Sequence, residues 1–234
     1  MGKDVIIACD FPDKASTLSF LSAFTDRGIK PFVKIGMELF YAEGPDIVRE
    51  IKALGMKIFL DLKLHDIPNT VKKAMASLSR LDVDMCNLHA AGTKRMMEAA
   101  LEGLTRPDGT RPILLAVTQL TSTDQQALEN ELLIREPMEN VVMSYARNAK
   151  DAGLDGVVCS PLESGAVHEA CGNEFLTVTP GIRFADNSAG DQKRIATPAR
   201  AAELGSDYIV MGRPITAAED PVAAYLRAVN EFCV

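Results

Sequence analysis

The chain has 234 residues, 47% of them hydrophobic and 24% charged, with a formal net charge of −7 at pH 7. That length suits one domain over residues 1–234, close to the roughly 250 residues typical of a (β/α)8 barrel and long enough to bury about 70–75% of the unfolded surface. The acidic balance argues against nucleic acid and an anionic membrane as partners, but not against a small anionic substrate, which a few local donors can hold. In chain order, the apolar runs 5–11, 31–36, 57–63, 85–90, 112–118, 156–160, 175–182 and 208–213 are predicted strands, and amphipathic stretches such as Asp46 to Leu54, Asn140 to Ala152 and Ala218 to Phe232 are predicted helices. Near-continuous apolar strands alternating with helices imply a parallel sheet covered on both faces. About eight such units in one chain point to an α/β fold, a closed (β/α)8 TIM barrel. A doubly wound open sheet is the competitor, weakened because no GxGxxG follows the first run. Glycines 28, 55, 153 and 205 follow helices and read as left-handed C-caps. Residues 119–137 form the longest weakly patterned stretch and read as a loop of the kind that often serves as a lid.

In such a barrel the chemistry sits at the C-terminal ends of the strands. Strand one ends at Asp10, strand two carries Lys34, strand three ends in DLKLHDIPNT (61–70), strand four ends at Asn87 and His89, and strand eight ends at Arg213. Alternation along strand three puts Ile58, Leu60, Leu62 and Leu64 on one face and Asp61, Lys63 and His65 on the other. Opposite charges on a barrel-facing surface are costly unless paired and hydrogen-bonded. A structural ion-pair network would satisfy that requirement, but convergence at the catalytic end favours an active site. A second cluster lies late in the chain, where TPGIRF (179–184) leads to a polar loop with Asp191 and Gln192, and strand eight ends in Met-Gly-Arg-Pro (211–214). The loops after strands seven and eight often bind phosphate in barrels. Gly181 and Gly212 let backbone N–H groups approach an oxyanion, and Arg183 and Arg213 add fork-shaped donors.

With DLKLHDIPNT, LTS at 120–122, PGIR at 180–183 and GRPI at 212–215, the chain resembles the orotidine 5'-phosphate decarboxylase family of the free-standing microbial type, from Asp10 to the final helix. The D-x-K-x-x-D spacing is shared with sugar-phosphate relatives, whereas Ile67-Pro68-Asn69-Thr70 is closer to the orotidylate branch. The resemblance implies decarboxylation of orotidine 5'-monophosphate to uridine 5'-monophosphate, with no metal and no cofactor. It implies that Lys63 protonates C6, that Asp61 holds Lys63, and that Lys34 completes the charge network and binds ribose. It further implies that Asp10 binds a ribose hydroxyl, Thr121 the pyrimidine edge, and Arg183, Gln192, Gly212 and Arg213 the phosphate side, with 183–192 closing as a gripping loop. Asp66 and Thr70 would reach into a neighbouring subunit's site, making the enzyme a homodimer.

Two other readings stand beside this one. A magnesium-dependent sugar-phosphate decarboxylase or aldolase would share Asp61, Lys63 and Asp66 and would need a further carboxylate, for which Glu38 is conceivable. A non-catalytic phosphate-binding barrel would keep Arg213 but has no reason to bury Asp61 with Lys63. The remaining chemistry-bearing residues have blander readings. His65 and His89 lack a third ligand at metal spacing, so His65 reads as a hydrogen-bonded structural residue, and His168 reads as a surface helix residue. Cys9 has no histidine partner, Cys86 and Cys159 read as core residues, and Met96 and Met97 read as packing. Five scattered cysteines without a CxxC pair suit free thiols in a reducing cytoplasm. The opening MGKDVIIACD carries no signal-peptide or membrane-span pattern, and Ile6 stands where a myristoylation motif needs Ser or Thr.

Overall fold

All eight predicted strands form, and they pair in chain order. The computed structural model describes residues 3–186 and 196–234. Strands β1 (Asp4–Ala8), β2 (Phe32–Gly36), β3 (Lys57–Leu64), β4 (Met85–His89), β5 (Ile113–Val117), β6 (Gly156–Val158), β7 (Leu176–Thr179) and β8 (Tyr208–Met211) are parallel neighbours, and β8 returns to β1 to close the barrel. Helices follow the strands, and the three stretches predicted as helical form helices at Pro45–Ala53, Met138–Asp151 and Pro221–Cys233.

Strand alternation divides the apolar residues into two layers. Ile6, Ala8, Phe32, Phe59, Met85, Leu115, Val178, Tyr208 and Val210 fill the barrel interior. Their neighbours, among them Val5, Ile7, Val33, Ile35, Ile58, Leu60, Cys86 and Leu114, pack outward beneath the helices. A large side chain moved from water into either layer gains about 1.5–3 kcal/mol, so the sequence period of two sets which residues face the lumen. Phe32 and Tyr208 meet edge-on at 6.2 Å, low in the barrel. Gly28, Gly55, Gly153 and Gly205 all have φ between 70° and 86°, the left-handed C-cap expected of them.

At the N-terminal end of the barrel a device recurs on alternate seams. Asp84, just before β4, accepts from the Ile58 amide of β3 at 2.8 Å and from Lys52 at 2.7 Å. Asp155, just before β6, accepts from the Leu114 amide of β5 at 2.7 Å and forms a two-pronged pair with Arg111. Asp207, just before β8, accepts from the Thr177 amide of β7 at 2.7 Å and lies 3.1 Å from His168 Nε2. In each case the aspartate's own amide donates to the carbonyl of that same residue, Ile58, Leu114 or Thr177. The side chain thus extends the strand pairing beyond the ladder and satisfies an amide that would otherwise be left open. His168 is therefore largely covered, with its Nε2 against a carboxylate, not the surface residue expected of it.

The stretch 119–137 is not wholly irregular, since Gln125–Asn130 forms a short helix capped by the Asp124 carboxylate. The cap supplies the helix start that the apolar period could not, because only Leu128 of that helix is buried. Met96 and Met97 are buried, as are Cys9, Cys86 and Cys159. Among the described residues no helix is long and apolar enough to cross a membrane.

Candidate active site

The C-terminal mouth of the barrel holds a cavity of about 210 Å³. Phe59, Val117, Val158, Pro180 and Val210 give it apolar walls, and Lys34, Asp61, Lys63, Gln119, Thr121 and Ser122 give it polar ones. The polar side is a line of alternating charge. Lys34 Nζ donates to Asp10 Oδ1 at 2.7 Å and lies 3.4 Å from Asp61 Oδ2, while Lys63 Nζ donates to Asp61 Oδ1 at 2.7 Å. Lys34 and Asp61 are each only 8% exposed. Burial works against both charges, but the neighbours outweigh it. Asp61 and Asp10 hold the Lys34 ammonium above the usual lysine range, and Lys34 with Lys63 holds the Asp61 carboxyl below the usual carboxylate range.

Local geometry explains how three strands deliver these groups to one place. Lys34 and Gly36 are inward positions of β2, and a Cβ at Gly36 would lie 2.8 Å from Asp10 Oδ1 and 3.1 Å from Lys34 Nζ. Glycine at that position leaves room for the Asp10–Lys34 pair. On β3, alternation carries Asp61 inward, as the sequence predicts, but Lys63 arrives by another route. The pairing with β4 steps from Leu60↔Cys86 to Leu64↔Leu88, so β3 spends two more residues than β4 over this stretch. Lys63 takes up the excess in the left-handed region, with φ 51°. Such a conformation costs a residue with a side chain roughly 1–3 kcal/mol and survives only where surrounding contacts impose it. His65, which simple alternation would put on the same inward face, lies past the end of β3 and is exposed, its ring 5.7 Å from that of His89. Burial, then His65 and Lys63, press the His89 pKa down.

Sequence reasoning missed one member of this site. Asn87 of β4 is 1% exposed, donates to Asp61 Oδ1 at 2.7 Å and accepts from the Lys63 backbone amide at 2.8 Å. A polar residue at an inward strand position was the signal that could have found it, and it was noted only as the end of strand four.

The other expected residues are distributed as follows. Thr121 is buried and lines the cavity. Arg183 follows β7 and donates to its neighbour's carbonyl, that of Ile182, at 2.9 Å, and its own amide is tied to Ala196. Gly212 and Arg213 follow β8, where Gly212 precedes the short helix Arg213–Thr216 and accepts from the amides of Ile215 and Thr216. Asp66 and Thr70 are exposed and do not line the chain's own cavity. Ile67, which follows Asp66 in the chain, and Leu120, which lines the cavity, are large apolar side chains left 67% and 42% exposed. Gln192 lies outside the described residues. Glu38 is exposed on the first turn of the helix Met37–Glu43, and among the described residues no three His, Cys, Asp or Glu side chains are grouped to hold a metal ion. Cys9 is fully buried and its thiol is pushed up to about 12, which makes it a poor nucleophile.

An apolar cavity at the C-terminal end of a closed (β/α)8 barrel, edged by two lysine ammonium groups that share the buried Asp61 carboxylate, has the build of a barrel enzyme's active site. Comparison with known proteins agrees and goes further. The chain belongs to the Orotidine 5'-phosphate decarboxylase / HUMPS family, whose model matches residues 3–228. It is 58% identical over 228 residues to an orotidine 5'-phosphate decarboxylase of Bacillus cereus (strain G9842), covering 96% of this chain and 95% of that one. The same enzyme of Bacillus cytotoxicus is likewise 58% identical over 228 residues, with the same coverage. The crystal structure of orotidine 5'-phosphate decarboxylase from Lactobacillus acidophilus superposes with a TM-score of 0.88 at 45% identity, covering 99% of this chain and 100% of that one.

Proposed function

We propose that this chain decarboxylates orotidine 5'-monophosphate to uridine 5'-monophosphate in pyrimidine biosynthesis, with Lys63 as the proton donor to C6. The observation that carries the reading is the Lys34–Asp61–Lys63 line at the edge of a cavity with apolar walls. Loss of CO2 leaves an electron pair at C6 in the plane of the pyrimidine ring, where the ring offers no easy sink. A catalyst must meet that charge with something already in position, because reorganising water during the reaction costs energy. A lysine ammonium does this electrostatically and then hands over its proton. Asp61 keeps Lys63 aimed, and Lys34 keeps Asp61 ionised. The scheme calls on no cofactor.

The remaining roles follow the same division. Thr121 would meet the pyrimidine edge, Asp10 and Lys34 the ribose, and Arg183, Gln192, Gly212 and Arg213 the phosphate. Binding energy from the phosphate, remote from C6, can close loops and organise the charges. The exposed Asp66 and Thr70, with Ile67 between them, suit a homodimer in which each protomer completes the other's site. In that arrangement the partner subunit's Asp66 would face the substrate carboxylate. Two like charges 4 Å apart repel by about 4 kcal/mol at an effective dielectric of 20, and departure of neutral CO2 relieves this. Mixing the protein with orotidine 5'-monophosphate tests the reading directly, because the substrate's ultraviolet absorbance should fall. The fall should persist in EDTA, and a stable absorbance would overturn the proposal.

A further inference from the structure

We propose that Asn87 is a positioning residue for Lys63, setting both the backbone and the counterion of the proton donor; this rests on the reading of Lys63 as the acid. Two independent bonds carry it. The Asn87 carboxamide accepts from the Lys63 amide at 2.8 Å and donates to Asp61 Oδ1 at 2.7 Å. A backbone N–H can only donate and an ionised carboxylate can only accept, so the two partners fix which way the amide faces. Over this stretch the β3–β4 ladder is interrupted, and the Lys63 amide turns to a side chain of β4. The amide of Asn87 therefore stands in for the missing ladder bond at the one residue of β3 in the left-handed region. Its other end touches the same carboxylate oxygen that receives Lys63 Nζ. One buried side chain thus couples where the lysine starts to where its charge ends.

The surroundings of Asn87 restrict what a replacement can do. Asp61 and Lys63 face it from β3, with Lys34 of β2 and Asp10, just past the end of β1, behind them. His89 follows on its own strand, and on the β5 side its register partner is the apolar Leu115. Asn87→Asp keeps the shape and the acceptor for the Lys63 amide but can donate to Asp61 only while it carries a proton. Two adjacent carboxylates share such a proton and release it as the pH rises.

The test uses purified wild-type protein, Asn87→Ala and Asn87→Asp, with kcat measured on orotidine 5'-monophosphate and Kd measured for uridine 5'-monophosphate. For Asn87→Ala, kcat should fall about a hundredfold while Kd changes by less than about threefold, the size of loss expected when a reacting group is displaced by about an ångström. For Asn87→Asp, kcat should approach the wild-type value at low pH and decline as the pH rises, a limb the wild type lacks. A kcat for Asn87→Ala within about threefold of wild type, or losses that match only a reduced folded fraction, would overturn the proposal. So would an Asn87→Asp pH profile superimposable on that of wild type, which also decides the matter if the alanine variant does not fold. A wild-type protein with no activity would instead overturn the functional reading.

Discussion

The two ends of the barrel use the same pairs of residue types for opposite purposes. At the N-terminal end, Asp84, Asp155 and Asp207 spend their carboxylates on backbone amides and on the basic side chains beside them, and so fasten strand to strand. At the C-terminal end, Asp61 is held by the side chains of Lys63, Asn87 and Lys34, and the lysines it holds border an open cavity. An aspartate that holds backbone stabilises the fold; one that holds lysines keeps charge available to a ligand. The backbone tells the same story, with regular pairing at one end and a left-handed lysine at the other.

Variants can break this contrast. The largest effect is expected for Lys63→Ala, which should lower kcat by about 10⁴-fold or more, the combined loss of a general acid and a prearranged charge. Binding of uridine 5'-monophosphate should remain measurable by calorimetry, and turnover near wild type would remove Lys63 from its role. Arg213→Ala comes next. A charge-assisted contact to phosphate is worth roughly 1.5–3 kcal/mol, so kcat/KM should fall about 10–100-fold, and an unchanged value would refute the phosphate assignment. Asp84→Ala should reverse the pattern, costing about 1–3 kcal/mol of stability and lowering Tm by about 2–4 °C for each kcal/mol, with kcat unchanged. A matching loss of kcat would show that the ends are not independent.

The smallest expected effect is that of pH on kcat. The Asp61 carboxyl titrates below its ordinary 3.8 and the Lys34 ammonium above its ordinary 10.5. The stability they confer is present throughout that window. It is lost below it as Asp61 protonates and above it as Lys34 gives up its proton. Neither group should therefore shape kcat between about pH 5 and 9, while kcat/KM should show an acid limb near pH 6 from the second ionisation of the substrate phosphate. A limb near 6 in kcat itself would point to a group on the protein.

Most of the barrel was legible because its strands are buried on both faces and its turns end in glycine. The charges at the ends of β1, β2 and β3 were legible for a related reason: polar groups in an apolar period stand out. The shift in β3 was not. It takes up two residues, an even number, so the alternation of Asp61, Leu62, Lys63 and Leu64 reads as though the strand ran on undisturbed. Only at His65, beyond the strand, does the pattern fail. Asn87 is visible as a polar residue near the end of β4 but gets no role from the sequence, because a neutral amide carries no charge to mark it and its value depends on the shift opposite it. His168 looked like a surface residue because its partner, Asp207, is distant in sequence.

The aspartate brackets have a practical consequence for anyone who would reuse this scaffold. Each draws on amides and basic side chains at its own end of the barrel, so strand-end residues and loops at the other end can be exchanged without unseating a strand. Grafting a new pocket would leave the fasteners in place, and the seam between β1 and β2, where Pro31 precedes the strand and the described residues form no such bracket, is the first place to add one.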